Sequence, residues 1–224
     1  MEQMFDNIAH RYDFLNHLLS MGIDKIWRKK VVAILAKDKP KIILDVATGT
    51  ADFTLESIKL SPDKIIGVDL SEQMLSYGRE KIVKKGLSDI IALEKGDSQN
   101  LRFEDNTFDA ITVGFGVRNF ENLDAGLKEM YRVLKPGGTL AVLEFSKPKV
   151  FPVKQLFYFY FRFVLPIVGN WFSNDKRAYT YLPESVETFP EGEAFIGRLN
   201  NAGFKTTICK RLTFGISSIY TGKK

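Results

Sequence analysis

Ile42-Ile43-Leu44-Asp45-Val46-Ala47-Thr48-Gly49-Thr50-Ala51-Asp52 passes from a continuous apolar run into a cluster of small residues. A strand with so little polar alternation is expected to be buried on both faces, as in a parallel sheet covered by helices. The small residues at 47–51 let the backbone turn sharply and come close to a ligand. Outward from this stretch, similar runs recur at Ile65-Leu70, Ile90-Leu93, Phe108-Phe115 and Thr139-Phe145. Between them lie amphipathic stretches such as Ser71-Lys85 and Asp124-Leu134. Strands alternating with helices in this way predict an α/β fold with a parallel sheet and helices on both faces. Lys135-Pro136-Gly137-Gly138 reads as a helix stop and a turn into the next strand.

Toward the N-terminus, residues 1–38 read as helical, with Phe14, Leu15, Leu18 and Leu19 in one run and Ile23, Trp27, Val31 and Ile34 in another. Ser20-Met21-Gly22 separates the two runs. Toward the C-terminus, residues 149–190 interrupt the alternation. Within them, 151–172 carries six phenylalanines, two tyrosines and a tryptophan. Lys154, Arg162 and Pro166 break that run, so it is not a membrane span. Glu191-Ala202 reads as a helix stopped by Gly203. Residues 204–210 and 212–220 read as two strands that only a tight antiparallel hairpin can join. A single domain over 1–224 is expected, with a helical lid at 1–38 and an aromatic insertion at 149–190.

The 224 residues are 45% hydrophobic and 26% charged, which excludes a disordered or collagen-like chain. One cysteine, Cys209, excludes a disulfide framework and a cysteine-built zinc site. Two histidines, His10 and His17, argue against a histidine-rich metal centre. The start, MEQMFDNIAHRYDF, has neither a basic n-region nor an apolar h-region, and a cytoplasmic protein is expected. The net charge of +5 is ordinary for a soluble enzyme.

Ligands of open α/β sheets bind at the carboxyl ends of the strands. The 47–51 loop sits there. It is not G-x-G-x-x-G and no P-loop lysine follows, which disfavours a phosphate cradle. Asp69 ends the second strand, 20 residues after Gly49, where an acid accepts hydrogen bonds from ribose hydroxyls. It also suits a helix N-cap. Gly96-Asp97-Ser98 follows the third strand, where an acid and a small polar residue suit an adenine edge or a plain turn.

Taken together, these features and the closing hairpin resemble the class I S-adenosylmethionine-dependent methyltransferases. Those have a Rossmann-like sheet of seven strands with a reversed last strand. Longer motifs narrow the resemblance. Tyr12-Asp13 with Asn16, Ser20-Met21-Gly22 and Trp27-Arg28 resembles the N-terminal motif of the menaquinone and ubiquinone biosynthesis C-methyltransferases. Phe115-Gly116-Val117-Arg118-Asn119-Phe120, Leu143-Glu144-Phe145-Ser146-Lys147-Pro148 and Tyr181-Leu182-Pro183-Glu184-Ser185-Val186 are similar to further signatures of that family. Met130 to Gly138 is shared more widely among methyltransferases. Ala51 stands where the family has glycine, and the turn there is expected to be right-handed or slightly wider.

The resemblance implies that S-adenosylmethionine is contacted by Thr50, Asp69, Asp97 and Ser98, with no metal. It also implies methylation of a ring carbon of a polyprenylated quinol. Demethylmenaquinol is preferred, because the chain starts almost directly at Tyr12-Asp13; a methoxy-polyprenyl-benzoquinol of the ubiquinone pathway is the alternative. The substrate must be the reduced quinol, since a quinone ring is electron-poor. Ionising a phenol of pKa ~10 at neutral pH costs about 4 kcal/mol. One charge-assisted hydrogen bond returns roughly 1.5–3 kcal/mol, so desolvation, alignment or a base must add to it. Arg118, Asn119 and Tyr12 are the candidate catalytic residues. Arg118 either stabilises the oxyanion or orients a water or base.

The aromatic insertion is expected to wall the quinol pocket and to rest on a membrane surface, with Lys154 and Arg162 at headgroup level. Nucleic acid is not an expected partner. Gly114-Phe115-Gly116-Val117 replaces the Asn/Asp-Pro-Pro-aromatic motif of amino methylation, and no cysteine serves pyrimidine C5 chemistry. A non-catalytic cofactor- or lipid-binding subunit is the rival from another class.

Overall fold

The computed structural model describes residues 6, 9, 20, 22–164 and 177–224. Its sheet has seven strands: β1 (Ile42–Val46), β2 (Lys64–Asp69), β3 (Ile91–Lys95), β4 (Phe108–Gly114), β5 (Leu134–Phe145), β6 (Lys205–Leu212) and β7 (Ser217–Lys223). The order is β3-β2-β1-β4-β5-β7-β6. The β1–β5 ladders are parallel, while β7 runs antiparallel to both β5 and β6. The order turns back between β1 and β4, which makes the carboxyl ends of those strands the switch point of the sheet.

The helices are α1 (Ile23–Leu35), α2 (Asp52–Ser57), α3 (Glu72–Lys84), α4 (Leu123–Val133), α5 (Val153–Phe159), α6 (Arg177–Thr188) and α7 (Glu193–Asn201). Alternation along the strands divides the core. Leu44, Ile111, Val113, Leu140, Val142 and Tyr220 pack with Leu127 and Met130 of α4 and Phe195 and Leu199 of α7. Ile43, Ala110, Ala141, Leu143 and Ile219 pack with Trp27, Val31 and Leu35 of α1 and Leu75 and Ile82 of α3. Side chains alternate between faces with period two, so each strand feeds both layers. Ser71, and not Asp69, caps α3 by accepting from Met74 N–H, and Asn122 caps α4 by accepting from Ala125 N–H.

Three details depart from expectation. Lys135–Gly138 lies inside β5; Phe108 pairs with Leu134 and Ala110 with Thr139, so these four residues form an irregularity in a strand that starts earlier than the apolar run. The hairpin is looser than expected, because Thr213–Gly215 forms a 3-10 turn between β6 and β7. Ala51 is left-handed, with φ 67°, where a right-handed turn was expected. A non-glycine residue there costs about 1–2 kcal/mol. It is held by packing, since Gly78 of α3 lies so close that a Cβ on it would be 3.2 Å from the Ala51 Cβ. Tyr12, His10 and His17 lie outside the described residues.

Candidate active site

The β1–α2 loop is tied to the sheet by a buried acid. Asp45, 1% exposed at the end of β1, accepts hydrogen bonds from the hydroxyls of Thr48 (2.7 Å), Thr54 (2.6 Å) and Thr112 (2.7 Å). Burial pushes its carboxyl above the usual range, and the three hydroxyls oppose that shift. One side chain thus joins the loop, α2 and β4.

Asp69 completes the frame from β2. Its Oδ2 accepts from Gly49 N–H (2.8 Å) and its Oδ1 from Ser71 N–H (2.9 Å). Burial raises its pKa, against the pull of these N–H groups. The N-cap role falls to Ser71. Each carboxylate oxygen has a second lone pair, so Asp69 can still accept from a ligand hydroxyl. At β3, Asp97 Oδ1 accepts from Gln99 N–H (2.9 Å) in an Asx turn.

These residues wall a cleft of about 300 Å³. Asp69, Asp97, Ser98 and Asn119 all line it, together with Ala47, Gly49, Ser71, Phe115 and Gly116. Thr50 does not: it is 3% exposed and lies behind the loop, where its carbonyl carbon would be 3.3 Å from a Cβ on Gly78. The cleft wall carries Asp69, Asp97 and Glu121 and, among the described residues, no lysine or arginine. Such a wall repels phosphates and suits a cation. Gly116 is needed at the mouth, since a Cβ on it would be 2.5 Å from the Ala47 Cβ.

A second cavity of about 540 Å³ adjoins the first through Phe115, which lines both. Its wall is mostly apolar, with Trp27 from α1, Phe145 at the end of β5, Leu156 and Phe157 of α5, and Phe214, and it also carries Arg118 and the Asp24–Arg28 ion pair (2.7 Å). The Phe115 and Phe145 rings are 4.6 Å apart, and each lies about 6 Å from Trp27 (6.1 and 6.2 Å). Trp27 is anchored by its indole N–H on Thr213 Oγ1 (2.8 Å). Phe115 has φ 58°, a costly conformation for a bulky residue. Its N–H on the Leu143 carbonyl (2.7 Å) and its packed ring hold it there.

Arg118 and Asn119 follow Phe115 and face different cavities, Arg118 the apolar one and Asn119 the polar one. Arg118 Nη1 donates to Glu144 Oε1 (2.6 Å) and to the Phe115 carbonyl (2.6 Å). Glu144 is fully buried. Among the described residues, Arg118 Nε is buried with no hydrogen-bond partner. Asn119 Oδ1 accepts from the Tyr181 hydroxyl (2.9 Å), which leaves the amide N–H groups for a ligand. Burial holds the Tyr181 hydroxyl above its usual pKa, so it stays a donor.

The sequence reading missed Asp45, Glu144 and Tyr181 as parts of this site. The last two stood inside quoted motifs, but nothing in their spacing connects them to Arg118 and Asn119. Asp45 directly precedes the small-residue loop, and that was the one usable signal.

Asp69→Ala is expected to weaken S-adenosylmethionine binding roughly 5- to 150-fold, for a loss of ~1–3 kcal/mol. It should also lower stability by ~1–3 kcal/mol, since two backbone N–H groups lose their acceptor. Calorimetric titration and urea unfolding read the two effects. Unchanged affinity would remove Asp69 from the binding edge.

Solved structures share the fold. A possible histamine N-methyltransferase from Thermotoga maritima superposes with a TM-score of 0.68 at 20% identity, covering 100% of both chains. The [4+2]-cyclase SpnF superposes at 0.70 with 18% identity, over 100% of this chain and 95% of that one. Among sequences, a demethylmenaquinone methyltransferase of Bacteroides fragilis is 51% identical over 100% of this chain and 92% of its own length. A ubiquinone/menaquinone biosynthesis C-methyltransferase UbiE of Geotalea daltonii is 44% identical over 100% and 96%. The sequence profile of one family matches residues 1–224, and the chain belongs to that family, the ubiE/COQ5 methyltransferase family.

Proposed function

We propose that the chain transfers the methyl group of S-adenosylmethionine to a ring carbon of demethylmenaquinol. The observation that carries this is the junction at Phe115–Asn119 of an acid-lined polar cleft with a larger apolar pocket. The cleft residues fit the donor: Asp69 suits ribose hydroxyls, Asp97 and Ser98 suit an adenine edge, and the acidic wall suits a sulfonium and an ammonium group. When bound, S-adenosylmethionine supplies an electrophilic methyl on a cationic sulfur.

The remaining work falls to the protein. Trp27, Phe115 and Phe145 exclude water and orient the flat ring, which strengthens every charge interaction beside it. The Arg118 guanidinium stabilises negative charge on the quinol oxygen as the neighbouring carbon becomes nucleophilic. The Asn119 amide N–H groups steady the ligand on the other side of the junction. A lid role for residues 1–38 is supported by the Ser71 hydroxyl donating to Asp6 (2.5 Å) at the cleft rim.

The apolar pocket borders an exposed aromatic surface: Phe151 is 77% exposed, Phe159 58%, Phe163 52% and Phe214 73%. Residues 146–164 hold Lys147, Lys149, Lys154 and Arg162 and no acid. Among the described residues, no helix is long and apolar enough to cross a membrane. Shallow contact of this surface with anionic lipid is the reading we favour, since the prenylated substrate resides in the bilayer. Flotation with anionic liposomes should recover the chain, and Phe159→Asp with Phe163→Asp should leave it in the soluble fraction. If neither form floats, the surface serves the pocket alone.

Demethylmenaquinol and a methoxy-polyprenyl-benzoquinol, each offered with methyl-labelled S-adenosylmethionine, test the substrate. Label should enter the naphthoquinol first. Equal labelling of both would extend the function to both quinone pathways, and labelling of neither would overturn it.

A further inference from the structure

We infer that Glu144 is a positioning residue for methyl transfer: it clamps one nitrogen of Arg118 so that the remaining N–H groups of the guanidinium serve the substrate oxygen. This rests on the function proposed above. Glu144 is the next-to-last residue of β5, a strand flanked by β4 and β7, and its side chain is wholly inaccessible to solvent. Its Oε1 accepts from Arg118 Nη1 (2.6 Å) and from Phe145 N–H (2.8 Å). Its Oε2 faces the backbone N–H of Arg118 (3.4 Å). The carboxylate therefore holds both ends of the Arg118 residue, and it does so from the strand that carries Phe145, a wall of the apolar pocket.

A structural pair alone explains this poorly. A buried ion pair is a weak source of stability, because desolvation of both charges offsets their attraction. An arginine whose task was to neutralise Glu144 would be expected to use its planar fork on both carboxylate oxygens. Among the described residues, Nη1 alone is spent, shared between Glu144 and the Phe115 carbonyl, and Nε is buried without a partner. Buried donors are rarely orphaned, so a fork left this incompletely paired calls for an explanation other than neutralising Glu144. Arg118 also lines the apolar pocket, and its guanidinium carbon lies 5.5 Å from the Phe145 ring centroid. With Nη1 fixed and the fork laid against that ring, the guanidinium has a single pose. Nη2, which has no hydrogen-bond partner among the described residues and is not enclosed as Nε is, is the donor left for an oxygen on a ring held between Trp27, Phe115 and Phe145.

The test is a double-mutant cycle read by single-turnover methyl transfer to demethylmenaquinol, with S-adenosylmethionine affinity measured separately by calorimetry. Glu144→Gln keeps the shape but sets an NH₂ or a neutral carbonyl against donors. It should slow methyl transfer on the order of 10–100-fold, with the Kd for S-adenosylmethionine within about twofold of the parent, because Glu144 touches no wall of the polar cleft. Glu144→Asp withdraws the carboxylate by one methylene and should rescue no more than Gln. In an Arg118→Met background, Glu144→Gln should add no further loss. Parent-like turnover in Glu144→Gln, or a full additional loss in the Arg118→Met background, would overturn the inference. If the unaltered protein methylates neither quinol while binding S-adenosylmethionine, the functional reading fails instead.

Discussion

Arg118→Met is expected to lower stability by ~3–5 kcal/mol and methyl transfer by ~10²–10³-fold. The stability loss follows from burial. Glu144 is entirely enclosed, and removal of its one cation leaves a carboxylate with nothing to offset its desolvation. The rate loss has another origin, the missing donor to the quinol oxygen. The double variant Arg118→Met with Glu144→Leu separates the two. Replacing both partners of a buried pair with apolar groups is often neutral, so urea unfolding should return to within ~1 kcal/mol of the parent. Methyl transfer should stay lost. A double variant that regained both would make Arg118 a structural residue of the pocket wall.

Asp45→Ala is expected to be of similar size, for a different reason. It removes three hydrogen bonds at once, strands the Thr112 hydroxyl and leaves those of Thr48 and Thr54 only their bond to each other (2.7 Å). At roughly 1–2 kcal/mol per bond, a loss of ~3–5 kcal/mol follows. S-adenosylmethionine affinity should fall with it, because Thr48 and Gly49 belong to the loop this acid anchors. Asp45→Asn should cost well under half as much. Its carbonyl still accepts from Thr112 or Thr48, and hydroxyls can turn to accept from its NH₂. Equal losses for Ala and Asn in denaturant titrations would mean that charge, and not the hydrogen-bond knot, supplies the stability.

The sheet could be read from the chain because its strands are buried on both faces, and Ile42–Val46, Phe108–Gly114 and Lys64–Asp69 stand out as apolar runs. The start of β5 was hidden by Pro136, Gly137 and Gly138, which look like a turn and sit instead in an irregular edge of the ladder. Ala51 misled for a related reason. Local propensity forbids its left-handed backbone, while the tertiary packing under α3 at Gly78 requires it.

Asp69, Asp97 and Ser98 reach one cleft because position at a strand's carboxyl end is a backbone property, and sequence carries it well. Thr50 fell short because a side chain's direction inside a loop is set by torsions that spacing does not encode. The pairing of Arg118 with Glu144 spans 26 residues and two strands, and Tyr181 reaches Asn119 across 62. Such contacts exist only after β4, β5 and α6 have packed, so no local pattern announces them.

The proposed reaction is carbon methylation of a reduced naphthoquinol at the junction of the two cavities. Its most direct test is incubation of the chain with trideuteromethyl-labelled S-adenosylmethionine and chemically reduced demethylmenaquinone, followed by mass analysis of the quinone after reoxidation. The expected product carries one trideuteromethyl group in place of the ring hydrogen, formed from the quinol and not from the oxidised quinone. Label on a quinol oxygen, or no transfer to the quinol by protein that binds S-adenosylmethionine, would contradict it.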